Sequence, residues 1–269
     1  MRIPGFAKKS LGQNFLNAPW VSEKAVLAGE VGPGDTILEI GPGKGALTKK
    51  LLEKAGRVIA LEKDHRLIPI LQETFANEIS SRKLILSESD ALEFKPQDFG
   101  LTKNSYKVIA NIPYYITGAL TEKFTSEENH PSLIIFLVQK EVAERIVANN
   151  KKESILSLSV KAYGTPEYIA TVSRGCFTPQ PNVDSALIKI GNISHDFFVG
   201  FEQNFFFTVI KAAFLHKRKR LIANLAEIIP SIKNQTAELI SNTGIGENER
   251  AEDVPLQTWK KICSFLNTI

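Results

Sequence analysis

The 269-residue sequence has only two cysteines, Cys176 and Cys263. Neither has a CxxC or histidine partner at ligand spacing, so the pattern predicts no disulfide and no metal site, and fits a reducing cytoplasm. No apolar run approaches the roughly 18 residues of a membrane span. The opening segment carries Arg2, Lys8 and Lys9 with no apolar stretch behind them, unlike a secretory signal. It also lacks acid altogether, the first acidic residue being Glu23. No internal repeat and no low-complexity tract is present. What remains is a chain of 43% hydrophobic and 23% charged residues, ordinary for a folded soluble protein. It is long enough for one large domain and a small second one.

The net charge of +4 is too small to name a partner, but its distribution is uneven. Besides the acid-free opening, a second basic stretch begins at Lys211 and culminates in His216-Lys217-Arg218-Lys219-Arg220. Two basic blocks on a nearly balanced chain suggest contact with a polyanion. A solvated helix face would read the same way.

Short apolar runs alternate with helical patterns through the first two thirds of the chain. Thr36–Ile40, Arg57–Leu61, Lys83–Leu86, Lys107–Ala110 and Leu133–Val138 read as strands. Ala46–Ala55 reads as a helix, and another follows Asp64, a candidate N-cap, with Pro69 starting or kinking it late. Such alternation argues for a parallel sheet with helices on both faces. Tyr168–Val172 and Ser185–Ile190 are strand-like but joined by a proline-rich connection, which suits an antiparallel pair at one edge. After Gly191 the strand signal ceases, and Phe205–Leu225, Gln235–Asn242 and Pro255–Leu266 read as helices. The expectation is an α/β, Rossmann-like fold with a seven-stranded, mostly parallel sheet in residues 1–193. A small all-α domain follows in residues 194–269.

Glu39-Ile40-Gly41-Pro42-Gly43-Lys44-Gly45 lies where a strand ends and a helix opens. Glycines such as Gly41 and Gly43 let backbone approach a ligand closely, and nucleotides bind at that edge of an open α/β sheet. Glu62 closes the second strand, where a carboxylate can accept from both hydroxyls of a ribose. Asp90 closes the third and can accept from an adenine amine. These features fit either a dinucleotide or S-adenosylmethionine. The glycine spacing, G-x-G-x-G rather than G-x-G-x-x-G, weighs against the former.

The fourth strand ends in Asn111-Ile112-Pro113-Tyr114. The lone pair of adenine N6 is delocalised into the ring, so the amine is a poor nucleophile. Accepting both of its hydrogens aligns that lone pair with an incoming methyl. The Asn111 side-chain oxygen is one acceptor and the Ile112 carbonyl a second, while Pro113 stiffens the turn that aims them. Tyr114 offers a flat face to a base drawn out of its stack. A sulfonium donor is already activated, so neither a metal nor a strong base is required, and catalysis is chiefly positioning. Phe177, in the loop Cys176–Asp184, can stack on the opposite face of the base.

Together these residues resemble the rRNA adenine dimethyltransferase superfamily, in particular its KsgA family of small-subunit enzymes, over essentially the whole chain. Lys8-Lys9-Ser10-Leu11-Gly12-Gln13-Asn14-Phe15-Leu16 resembles the family's opening motif, which closes over the methionine end of the cofactor. That match implies Asn14 and Leu16 as cofactor contacts, with Gln13 beside them. It also implies cofactor roles for Gly41, Gly43, Glu62, Asp90 and Asn111. Val183-Asp184-Ser185-Ala186 matches a further signature, and Lys211-Ala212-Ala213-Phe214 with its basic run resembles the rRNA-facing helix. The resemblance implies a monomer using S-adenosyl-L-methionine to dimethylate two adjacent adenines at N6. The target would be the 3′-terminal hairpin loop of 16S rRNA in the pre-30S subunit. Lys8, Lys9, Lys211, Lys217, Arg218, Lys219 and Arg220 would contact the RNA. Ile112 is common in related enzymes that dimethylate 23S rRNA, which form the alternative, as does a ribosome-assembly factor whose main role is binding.

Overall fold

The computed structural model describes residues 12–148 and 151–268. The chain forms two compact units, residues 1–143 with 165–193, and residues 144–164 with 194–269.

The first unit is built on a seven-stranded sheet: β1 (Thr36–Ile40), β2 (Arg57–Glu62), β3 (Leu84–Glu88), β4 (Lys107–Asn111), β5 (Leu133–Gln139), β6 (Thr165–Val172) and β7 (Ser185–Gly191). Their order is β3-β2-β1-β4-β5-β7-β6. The first five run parallel, and β7 pairs antiparallel with both β5 and β6. Ile37, Leu38, Val58, Ile59, Val108, Ile109, Ile134 and Ile135 are fully buried. Neighbours along these strands are buried on both faces, which is why the runs are continuously apolar rather than alternating. The expected antiparallel edge is present.

The strand order reverses between β1 and β4. Ile40 lies level with Leu61 of β2 and with Ala110 of β4. The carboxyl ends of three strands therefore open onto one crevice. From β1 the chain turns through Gly41–Gly45 into the helix Ala46–Lys54, which buries Leu47, Leu51 and Leu52. Beyond β2, Leu67 N–H donates to the Asp64 carbonyl, and the helix Ile68–Thr74 carries Pro69 in its first turn. A separate short helix, Ala76–Ser80, follows.

The second unit is helical, and its core gathers Phe198, Phe201, Phe206, Trp259, Ile262 and Leu266. The helix Ile155–Lys161 belongs to it, and Ser194 N–H donates to the Tyr163 carbonyl. Residues 144–164 thus sit with the C-terminal unit, and not in a first domain running unbroken over 1–193. A second difference concerns Phe205–Leu225. One helix ends at Ala213 and the next runs Leu221–Ile228. The buried Asn224 amide donates to the carbonyls of Ala213 (2.6 Å) and His216 (3.1 Å). These bonds supply partners for carbonyls freed by the break. The basic run therefore lies in a turn and not on a continuous helix.

Gly45 has φ +83°, and a Cβ there would stand 2.5 Å from the Phe75 ring. Gly45→Ala should lower stability by roughly 2 to 4 kcal/mol, combining left-handed strain with overpacking. Urea unfolding measures it, and a loss below about 0.5 kcal/mol would show that the turn relaxes freely.

Candidate active site

A pocket lies at the crevice. Its walls come from the turn after β1, the ends of β2 and β4, Ser89–Ala91 after β3, and the N-terminal segment Gly12–Leu16. It brings together Gln13, Asn14, Leu16, Gly41, Gly43, Glu62, Asp90, Asn111, Ile112, Pro113 and Tyr114, all expected from the sequence.

The glycine turn approaches the N-terminal segment as closely as van der Waals contact permits. Gly43 has φ +60°, and a Cβ on it would meet the Phe15 ring at 3.1 Å. Glu62 joins this turn to the next loop, accepting from Gly43 N–H at 3.2 Å and from Asp64 N–H at 2.8 Å. Burial pushes its carboxyl above the ordinary range, against the pull of those two amides. Asp90 is held differently. Lys63 Nζ donates to its Oδ2 at 2.6 Å and Leu92 N–H to its Oδ1 at 2.9 Å, and Lys63 keeps its carboxyl below the usual range.

At the end of β4, Asn111 Nδ2 donates to the Asn14 carbonyl at 3.2 Å. That bond sets which way the amide points and reserves Oδ1 as an acceptor. The Ile112 side chain is buried beneath the turn. The Tyr114 hydroxyl shares a hydrogen bond of 2.7 Å with Ser185 Oγ at the start of β7, and Thr117 Oγ1 donates to the Tyr114 carbonyl at 3.1 Å. Residue 114 is thus held through both backbone and ring. Tyr115, 64% exposed, lies at the pocket against Gly12.

Phe177 does not line this pocket. It is 3% exposed, packs in the core of the first unit and pairs with Leu16 in a two-stranded antiparallel ribbon, Phe15–Leu16 with Phe177–Thr178. Asn17 reinforces the ribbon, its N–H donating to the Cys176 carbonyl and its side chain to Thr178 Oγ1, both at 2.9 Å. The Phe177 ring, packed in the core of the first unit, anchors the N-terminal segment. Two-residue strands have no periodicity, so the sequence reading missed the ribbon.

Other participants were also missed. Glu39, beneath the glycine turn, is 1% exposed, and neither carboxylate oxygen has a hydrogen-bond partner of ordinary geometry among the described residues. Thr48 faces it without closing a bond of ordinary geometry, and burial pushes the Glu39 carboxyl up to about 8. Asp64, read only as a helix cap, accepts from Gln13 Nε2 at 2.7 Å.

In the second unit, Lys211, Lys217 and Arg218 are exposed and have no ion-pair partner among the described residues. Lys219 donates to Glu227 at 2.5 Å, His216 shares that carboxylate at 3.1 Å, and Arg220 donates to Asn248 at 3.4 Å. Lys8 and Lys9 lie outside the described residues. No helix among the described residues is long and apolar enough to cross a membrane.

The fold is a doubly wound α/β sheet, with an Asn-x-Pro-Tyr turn at the pocket above its strand ends. A family model described as ribosomal RNA adenine dimethylase matches residues 6–268, and the chain belongs to that family. It is 39% identical to the "Ribosomal RNA small subunit methyltransferase A" of Dehalococcoides mccartyi, over 96% of this chain and 87% of that protein. The protein of the same name from Fusobacterium nucleatum is 38% identical, over 93% of both chains. Among solved structures, a dimethyladenosine transferase from Plasmodium falciparum superposes with a TM-score of 0.79 at 24% identity, covering 94% of this chain and 98% of that one. The 23S rRNA methyltransferase ErmE gives 0.75 at 22%, covering 94% and 100%. At these identities the two structures speak for the fold.

Glu39 binds its proton more tightly in the folded chain than in the unfolded one. The stability it contributes is complete below its ordinary carboxylate range and is lost as pH rises toward about 8. The cofactor-free protein should lose stability between pH 5 and 8, and Glu39→Gln should flatten that decline. Thermal melts across this range would show it, and an unchanged slope in the variant would place the effect elsewhere.

Proposed function

We propose that this protein transfers methyl groups from S-adenosyl-L-methionine to N6 of two adjacent adenines in the 3′-terminal hairpin loop of 16S rRNA. It would act as a monomer on the assembling small subunit in the cytoplasm. The observation that carries the chemistry is the Asn111–Asn14 bond, which orients the Asn111 amide with Oδ1 reserved as an acceptor at the pocket. The choice of subunit is supported by relatives that match nearly the whole chain and carry small-subunit names.

The residues present fit this cofactor. Gly41 and Gly43 keep the turn free of side chains, and Glu62 offers a carboxylate at the end of β2 for a ribose. Asp90 suits an exocyclic amine, provided Lys63 yields one of its oxygens. The buried Glu39 carboxyl adds an acidic group to the pocket wall. When bound, the cofactor supplies a methyl already activated on its sulfonium. The remaining work belongs to the chain. Asn111 Oδ1 and the Ile112 carbonyl accept the N6 hydrogens, turning the nitrogen lone pair toward the donor. Pro113 stiffens the turn, and Tyr114, tethered to Ser185, provides the flat surface against which an extruded base rests. Accepting hydrogens without abstracting them early suits a second transfer, since a monomethylated amine still has one hydrogen to donate.

Lys217 and Arg218, exposed in the turn before Leu221, are suited to phosphate contact, together with Lys211. Lys219 and Arg220 would contribute after exchanging their present partners.

Asn111→Ala should bind S-adenosylmethionine within about threefold of wild type yet lose at least a hundredfold in turnover, read by methyl incorporation into small subunits. Retained turnover would refute the catalytic assignment. Reverse transcription of the product should stop at the two adjacent adenines; stops in 23S rRNA would move the substrate to the large subunit. The pair Lys217→Ala and Arg218→Ala should weaken rRNA binding and lower the slope of log affinity against log salt by about 1.5. An unchanged slope would remove that turn from the interface.

A further inference from the structure

Asp64 is 3% exposed and charged, and although the sequence offers it as a helix cap, the helix Ile68–Thr74 has Leu67 as its N-cap and several other bonds converge on Asp64. Arg66 grips it as a fork, Nε on Oδ1 at 2.8 Å and Nη2 on Oδ2 at 2.6 Å, while Arg66 N–H also reaches Oδ1 at 3.2 Å. These local bonds would satisfy the carboxylate by themselves. Two further bonds lead away from the turn. The Asp64 N–H donates to Glu62 Oε1 at 2.8 Å, and Oδ2 accepts from Gln13 Nε2 at 2.7 Å, a residue 51 positions earlier. Gln13 adjoins Asn14, whose carbonyl holds the Asn111 amide. Arg66 holds the Asp64 carboxyl well below the usual carboxylate range, so it is ionised at neutral pH.

We infer that Asp64 is a positioning residue that locks the N-terminal segment to the end of β2, setting the aim of Glu62 and the placement of Gln13–Asn14 together. The inference deepens the cofactor reading above and rests on it. Its geometric content is a continuous polar path from Gly43 through Glu62, Asp64 and Gln13 to Asn14 and Asn111. Five of those residues line the pocket, and Asp64 ties them together from behind. Gln13 on this account serves the cofactor by closing the segment, its amide nitrogen being given to Asp64.

The test is a double-mutant cycle on the full chain, with S-adenosylmethionine affinity measured calorimetrically for wild type, Gln13→Ala, Asp64→Asn and the double variant. Each single change should weaken binding about tenfold, and the double should fall within about twofold of the weaker single. Losses that multiply to about a hundredfold, or an Asp64→Asn protein that binds like wild type, would overturn the inference. Amide exchange at residues 12–16 should quicken in Asp64→Asn, an effect that a purely local cap would not produce. Should Asp64→Asn fail to fold, Gln13→Glu replaces it by setting one carboxylate against another. It should bind more weakly than Gln13→Ala at pH 8 and approach it at pH 5, as the new carboxyl takes up a proton; the same deficit at both pH values would overturn the inference. If wild type itself does not bind S-adenosylmethionine, the functional reading fails, while the exchange experiment still decides whether Asp64 holds the segment.

Discussion

The parallel register of β1 with β2 and β4 is the constraint on which the site depends. Because Ile40 is level with both Leu61 and Ala110, the glycine turn, Glu62 and Asn111 emerge from the sheet side by side. Strand order reverses there, so no crossover helix covers the gap. The strands that fix this register are buried on both faces, and a slip of one residue would exchange the two sets of core side chains. The core thereby specifies the relative heights of an acid, a turn and an amide that are far apart in sequence.

That arrangement concentrates carboxylates where burial makes each of them costly to ionise, and the chain meets the cost in several ways. Glu62 is held by two backbone amides, Asp64 by an arginine fork and Asp90 by Lys63. Glu39 has no charged partner among the described residues, and burial pushes its carboxyl up to about 8. Acids one strand apart are thus assigned different charge states by their neighbours.

Most of the fold was legible in the sequence because buried parallel strands announce themselves as unbroken apolar runs. The site was legible where a motif sits at a strand end, as with Gly43, Glu62 and Asn111. Legibility failed where a long-range partner decides the outcome. Phe177 reads as a stacking ring, and nothing in its own neighbourhood reveals that it pairs with Leu16 and packs in the core. Phe205–Leu225 reads as helical, yet Asn224 stabilises a break by bonding carbonyls 8 and 11 residues back. Asp64 looked like an ordinary cap because nothing local reveals a bond to Gln13.

The excursion of residues 144–164 into the C-terminal unit has a consequence for how the molecule is made. The chain lays down β5, contributes a piece of the second unit, and only then returns to supply β6 and β7. Lys152 pairs with Asp253, 101 residues later, so the early piece emerges from the ribosome long before its partners exist. Vectorial synthesis can complete the sheet while this helical fragment waits, its apolar residues Leu158 and Tyr163 still uncovered. Folding of the smaller unit is therefore a late, non-local event, set by the arrival of the last helix and not by the length of the unit itself.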